Sequence, residues 1–86
     1  MSRHDLAPLN PAHEVVTGWD PPMRTFFAQV FDTAADEGSS AYEVLWIGTR
    51  FHEVPNPATV IAAVAPFAAV PAGLLDQLAR DRRADE

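Results

Sequence analysis

Apolar and polar residues alternate over the first half of the chain, and this pattern predicts β-strands. Residues 13–19, HEVVTGW, are rich in β-branched and aromatic residues. An extended chain would place Val15 and Trp19 on the same side of a strand. Residues 20–22, DPP, should end that strand, because proline restricts the residue before it and cannot donate to a sheet ladder.

Residues 24–32, RTFFAQVFD, are compatible with either a strand or a helix. Phe27 and Phe31 lie four positions apart, and the prolines before the segment, with Asp20 as a cap, suit a helix start. The aromatic and β-branched content and the short length favour a strand. We prefer the strand, and the helix stays open as the alternative.

Residues 42–49, YEVLWIGT, predict a strand that is apolar on both faces. Val44 and Trp46 would point one way, and Leu45 and Ile47 the other. A strand of this kind is typically central in a sheet or covered on both faces.

The last third of the chain shows helical spacing. Asn56 followed by Pro57 is a helix start signal, and Pro66 should end that helix. A second helix is expected from Pro71 to about Arg83. The apolar positions at helical spacing are Val60, Ile61 and Val64 in the first helix, and Leu74, Leu75 and Leu78 in the second.

These elements predict an α+β fold, a three-stranded antiparallel meander followed by two C-terminal helices packed on one face (β-β-β-α-α). Residues 1–12 are polar and proline-containing, with only Leu6 and Leu9 to bury, so we expect a flexible N-terminal tail. Residues 13–83 would form a single domain, and residues 84–86 a frayed C-terminus.

Two helices can cover only one face of such a sheet, although the predicted strands carry apolar residues on both. An uncovered apolar face indicates a partner, which would be a second copy in a homodimer or another protein. The rival possibility is that the tail folds back and buries Leu6 and Leu9. The candidate interface residues are Trp19, Phe26, Phe27, Phe31 and Trp46.

Composition excludes several classes of function. The chain has no cysteine, so disulfides, thiolate nucleophiles and thiolate metal sites are excluded. Its net charge is −6, and its few arginines form no basic stripe, so we expect no direct nucleic-acid binding. No apolar run is long enough to span a bilayer, so we expect a cytoplasmic protein without membrane contact.

Catalytic signatures are also missing. Nucleophile elbows, phosphate loops and closely spaced metal ligands do not occur, so we expect no catalytic residue, cofactor or metal. An alternative hypothesis is a small enzyme or ligand-binding domain, and a third is an acidic mimic of nucleic acid. The alternative site would combine His13, Asp20, His52 and Glu53 near Trp19 and Trp46.

The segment GWDPPMRTFF, Gly18 to Phe27, contains the pattern G-W-D-x-P-hydrophobic-x-x-F-F. It resembles a stretch found in small uncharacterised bacterial proteins. The resemblance covers about ten residues and implies a stand-alone bacterial domain, without an activity or a ligand. The preferred hypothesis is therefore a small acidic interaction or regulatory module that self-associates through an apolar sheet face.

Overall fold

Four strands and two helices make up the protein. The computed structural model describes residues 1–85. The strands form one antiparallel sheet in the order β1-β2-β3-β4, so the fold is α+β as predicted, with one strand more than the predicted three. The elements are β1 (His4–Leu6), β2 (His13–Asp20), β3 (Thr25–Asp32), β4 (Glu43–Ile47), α1 (Pro57–Val64) and α2 (Leu74–Asp85).

The β2–β3 hairpin forms the centre of the sheet. Its register is unbroken from the His13–Asp32 pair to the Asp20–Thr25 pair, so the strand interpretation of this segment is confirmed and the helical alternative is wrong. The turn is closed by the Arg24 amide, which donates to the Pro21 carbonyl at 3.1 Å. Pairing along the whole of β2 satisfies the hydrogen-bonding groups of the β3 backbone. This pairing outweighs the helical preference that aromatic residues four positions apart suggest.

The N-terminal segment that the sequence predicts as a flexible tail contains a strand, because β1 pairs with β2 along its length. Leu6 reaches the core and is 7% exposed, whereas Leu9 remains 65% exposed. Beyond β1, Pro8 forms a bridge with Ala68 in the α1–α2 connection. The segment is ordered because β2 offers an edge of backbone donors and acceptors that a short strand can pair with.

The expectation that β4 is central or covered on both faces is also wrong, because β4 is the last strand in the sheet. Leu45 and Ile47 pack against the core, whereas Val44 is 40% and Trp46 47% exposed. An irregularity in register lies where β4 pairs with Phe31. The two-sided apolar pattern therefore marks an edge strand with one uncovered side.

Both predicted helices form, close to the predicted bounds. The Asn56 side chain accepts from the Ala58 amide at 2.9 Å, and α1 stops at Val64, before Pro66. The second helix starts at Leu74, later than the predicted Pro71.

The helix α2 extends through Ala84 to Asp85, two of the three residues that are predicted to fray. Glu86 lies outside the described residues. Within residues 1–85, no helix combines the length and the apolar content that crossing a membrane requires.

The core lies between the helices and one face of the sheet. Phe26 is completely buried on that face, and Trp19 packs beside it with ring centroids 4.8 Å apart. The other buried members of this cluster are Leu6, Val15, Ala28, Val30, Val54, Val60, Val64, Ala68, Leu74 and Leu78.

Candidate functional site

The second face of the sheet carries no helix, and we call it the uncovered face. Register places Phe27 opposite Gly18 and Gln29 opposite Trp46, with these side chains directed away from the core cluster. Its principal residues are Val16, Phe27, Gln29, Phe31 and Trp46.

Three rings form an aromatic cluster on the uncovered face near the β4 edge. Phe31 stacks on Tyr42 with centroids 5.1 Å apart, and it meets Trp46 edge-on at 6.5 Å. Trp46 keeps 47% of its surface exposed. Ring pairs of this kind hold their members in fixed orientations, so the cluster presents a preformed apolar surface.

A groove of about 520 Å³ lies beside the cluster. Phe27, only 7% exposed, contributes to its wall together with the largely exposed Met1. Aromatic and methionine side chains make most of the wall apolar, and a few polar groups interrupt it. The lining residues are Met1, Arg3, Asp20, Met23, Phe27, Gln29, Trp46, Gly48 and Thr49.

The first residues of the chain cover part of the uncovered face near β2. The Arg3 guanidinium lies 3.4 Å from the Asp5 carboxylate and 3.3 Å from that of Glu14. Val16, which pairs with Asp5 and lies two positions after Glu14 on β2, is completely buried. The predicted fold-back of Leu6 and Leu9 onto this face does not occur, because Leu6 lies in the core on the helix side and Leu9 is exposed. The β3–β4 side of the face stays open.

Two of the five candidate interface residues are in the wrong place for contact with a partner. Trp19 is 2% exposed and Phe26 is 0% exposed, because both lie between the sheet and the helices. The Trp19 indole N–H donates to the Asp85 carboxylate at 3.3 Å, which gives the buried ring a polar partner. Phe27, Phe31 and Trp46 lie on the uncovered face.

The alternative site does not assemble. His13 pairs with Asp32 at one end of β2, and Asp20 lies at the other end, roughly 23 Å away at about 3.3 Å per residue. The His52 amide donates to the Met23 carbonyl, so His52 lies at the Asp20 end. Among residues 1–85, no group of three or more metal-binding side chains comes together.

Trp19 and Trp46, the predicted walls of that alternative pocket, lie on opposite faces of the sheet. Trp19 instead lines a cleft of about 310 Å³ that also includes His52, Arg24, Pro55 and Arg82. Arg24 binds Asp85 at 3.2 Å, and Arg82 donates to the Pro55 carbonyl at 3.0 Å. These arginines connect α2 to the rest of the fold.

Glu53 stabilises the turn that follows β4. Its carboxylate accepts from the backbone amides of Gly48 at 3.1 Å, and of Thr49 and Arg50 at 3.2 Å. The hydrogen bond from Gly48 is the largest cause that lowers the pKa of Glu53, and those from Thr49 and Arg50 act in the same direction. The carboxylate thus closes the turn that follows β4, where Gly48 has a φ of +82°.

The acidic residues do not line one face, which the nucleic-acid mimic would require. Asp5 and Glu14 are on the sheet, Asp36 and Glu37 are in the loop before β4, and Asp81 faces β1 from α2. This distribution gives no support to that hypothesis.

Several residues of the uncovered face carry no signal in the sequence. Met1 and Arg3 reach the groove only because β1 pairs with β2, and Thr49 reaches it through the turn after β4. Tyr42 could have been predicted as a residue of the same face as Trp46, because in the sequence it continues the alternation of Val44 and Trp46.

No protein-family model matches the chain, and no significant match was found among curated proteins or among solved structures. The class that the geometry defines is a small α+β protein with helices on one sheet face and an aromatic, groove-bearing surface on the other.

Proposed function

We propose that this protein is a non-enzymatic interaction module that associates with another protein chain through its uncovered face, and first of all with a second copy of itself. The observation that carries the proposal is the exposed aromatic cluster, with Trp46 47% and Val44 40% exposed beside the groove. The resemblance of Gly18–Phe27 to stand-alone bacterial domains is compatible with this role in the cytoplasm.

Energetics favour burial of this surface. Fully burying one large apolar side chain contributes about 1.5–3 kcal/mol, and aromatic residues are the commonest interface hot spots. Trp46 and Val44 lie two positions apart on β4, so a single partner surface can cover both. A protein of this size gains a large fraction of its stability from such a contact.

Catalysis receives no support from the geometry. His13 is separated from Asp20 and His52 by the length of β2, and the Glu53 carboxylate is occupied by three backbone amides. A general base must reach its substrate proton within hydrogen-bond distance, together with the other catalytic groups. The enzyme hypothesis therefore remains second to the interaction module.

The experiment is sedimentation velocity over a concentration series from about 1 to 100 μM, a range that detects micromolar association. We expect concentration-dependent dimerisation of the wild type and its loss in Trp46→Ser. The matched control is Leu75→Ser, because Leu75 on α2 is 46% exposed, against 47% for Trp46. A wild type that stays monomeric throughout, or a Trp46→Ser protein that dimerises like the control, contradicts the proposal.

A further inference from the structure

The cleft around Trp19 gathers positive charge in an acidic protein. We call it the Trp19 cleft. It has a volume of about 310 Å³ and is lined by Trp19, Arg24, His52, Pro55 and Arg82. Three of these five side chains are basic and none is acidic, although the whole chain has a net charge of −6. A concave site with this lining favours an anionic ligand.

The two guanidinium groups of the cleft are held against the same aromatic ring. Trp19 is 2% exposed, and the guanidinium carbons of Arg24 and Arg82 lie 5.7 and 5.6 Å from its ring centroid. Contact between a cation and an aromatic ring restrains each head group at the ring. A ligand that enters the cleft therefore meets oriented donors, and less conformational freedom is lost on binding.

The backbone of the cleft is strained at two of its basic residues. Arg24 has a φ of 51° and His52 a φ of 57°, and no other non-glycine residue within residues 1–85 has a positive φ. Their amides donate to the Pro21 and Met23 carbonyls, hydrogen bonds that glycine would make equally well with less strain. Strained positions of this kind cluster at functional sites, which favours a role for these two side chains in the cleft.

The donors of the cleft already hold a carboxylate. Asp85 Oδ2 accepts from the Trp19 indole N–H at 3.3 Å and lies 3.2 Å from Arg24 Nη1. Asp85 is the last residue of α2, an end at which the helix dipole disfavours an acidic side chain. Its side chain also remains 30% exposed. A carboxylate from solution can therefore compete with it for the same donors.

Neighbouring groups do not neutralise the cleft. Glu53 follows His52 in the chain, but its carboxylate accepts from three backbone amides in the turn after β4. Arg82 donates to the neutral Pro55 carbonyl at 3.0 Å, which fixes its position beside the ring without removing its charge. The positive charge of the lining thus adds to the attraction for an anion.

We propose that the Trp19 cleft binds a small organic carboxylate, which takes the place of Asp85 on the Arg24 guanidinium and the Trp19 indole N–H. The cleft lies on the helix side of the sheet, so this binding does not depend on the self-association proposed for the uncovered face. Asp85 competes from within the same chain, at an effective concentration in the millimolar range. The wild type should therefore bind more weakly than a protein that lacks this carboxylate.

Titration with sodium succinate, followed by NMR, tests the proposal. The Trp19 indole N–H resonance should shift in a saturable way, beyond the effect of sodium chloride at the same ionic strength. The exposed Trp46 is an internal control whose indole resonance should not respond. We expect Asp85→Asn to bind succinate at least about tenfold more tightly than the wild type, because the internal competitor is removed.

Further variants test the role of Arg24 in the Asp85→Asn background, where the link between Arg24 and α2 is already broken. Arg24→Gln should abolish succinate binding, whereas Arg80→Gln, which removes the same charge from an exposed position on α2, should retain it. Arg24→Gly, which suits the left-handed backbone, should also lose binding and protects the test against misfolding.

Three results would overturn the proposal. The first is a Trp19 resonance that responds to succinate no more than to chloride in both the wild type and Asp85→Asn. The second is undiminished binding in both Arg24 variants. The third is tighter binding of sodium phosphate than of succinate, which would assign the cleft to a different anion.

Discussion

At the scale of single residues, the Thr25 hydroxyl holds the segment between β4 and α1 against the sheet. The Thr25 hydroxyl is completely buried and accepts from the Val54 amide at 2.8 Å. It also lies within donating distance of the Phe26 carbonyl, at 2.9 Å. The segment that returns from β4 to α1 is thus attached to β3 at this residue.

Replacing Thr25 by valine keeps the shape and leaves the buried Val54 amide without its acceptor. We expect a loss of about 1–3 kcal/mol in the free energy of unfolding, the usual cost of an unsatisfied buried group. Thr25→Ser, which retains the hydroxyl, should lose clearly less. Urea unfolding of the three proteins measures this, and equal stability of Thr25→Val and wild type would contradict the assigned role.

Gly18 is the position where the first residues of the chain cross β2. A Cβ atom there would overlap the Ser2 carbonyl oxygen and approach the Phe27 ring. Ser2 is attached at this point by its amide, which donates to the Trp19 carbonyl at 3.0 Å. The absence of a side chain thus permits the close approach of two backbones.

We expect Gly18→Ala to displace the N-terminal segment and to speed amide hydrogen exchange in residues 4–6, with little change at the centre of β3. The matched control is Gly38→Ala, because a Cβ at Gly38 would meet no atom within 4 Å. Unchanged exchange in Gly18→Ala would show that Ser2 can move aside without loss of β1 pairing.

At the scale of elements, β1 is attached to α2 as well as to β2. His4 Nε2 lies 2.6 Å from the Asp81 carboxylate, which also accepts a hydrogen bond from the Gln77 side-chain amide at 2.9 Å. Burial raises the pKa of Asp81, but hydrogen bonds from His4, Gln77 and Ser2 outweigh it, so the pKa lies below the ordinary 3.8. The ionised form is therefore the one that stabilises the contact.

A carboxyl whose pKa is lower in the folded state contributes stability above its unfolded pKa, and that stability is lost as pH falls through the folded value. Asp81→Asn should therefore be less stable than wild type above pH 3.8, and the difference should shrink in more acidic solution. Asp76→Asn, on the exposed side of α2, should show no such convergence. Urea unfolding at several pH values measures the difference in unfolding free energy between Asp81→Asn and the wild type. A difference that does not change with pH would contradict the proposed role of the ionised Asp81.

At the scale of the whole molecule, apolar attraction and net charge oppose each other in self-association. Each copy has a net charge of −6, so two copies repel at long range. The aromatic cluster must supply most of the association free energy.

Salt screens the long-range repulsion without weakening apolar contacts. We therefore expect the dimer dissociation constant to fall, by a few-fold, as sodium chloride rises from low to near-molar concentration. Sedimentation equilibrium across a salt series measures the constant. Weaker association at high salt would mean that ion pairs, and not the aromatic cluster, supply most of the attraction.

Local signals account for the part of the fold that was predictable. The turn DPP delimits β2, the Asn56-Pro57 pair starts α1, and Pro66 ends it, because each constraint acts within a few residues of its own position. The three-residue β1 was missed because HDL has neither length nor alternation, and its strand conformation depends on pairing with a distant part of the chain.

The sequence did not predict on which face of the sheet each aromatic residue lies. Alternation separates Phe26 from Phe27 without saying which of them meets the helices. The structure directs Phe26 and Trp19 to the core and leaves Trp46 on the uncovered face. The groove was unpredictable for the same reason, since Met1 and Trp46 line one groove only in the assembled sheet.

The sequence by itself determined the α+β class, β2 with the proline turn that ends it, α1 with its cap and its proline end, and a surplus of apolar strand positions, because each of these follows from local backbone limits and periodicity. It left β3 open between a strand and a helix. Only the tertiary structure decided that β4 is an edge, that the N-terminal residues form β1, and that Trp46 is the exposed tryptophan. These outcomes depend on which strand edges and faces are filled by distant segments, a competition for backbone pairing and burial that no local pattern records.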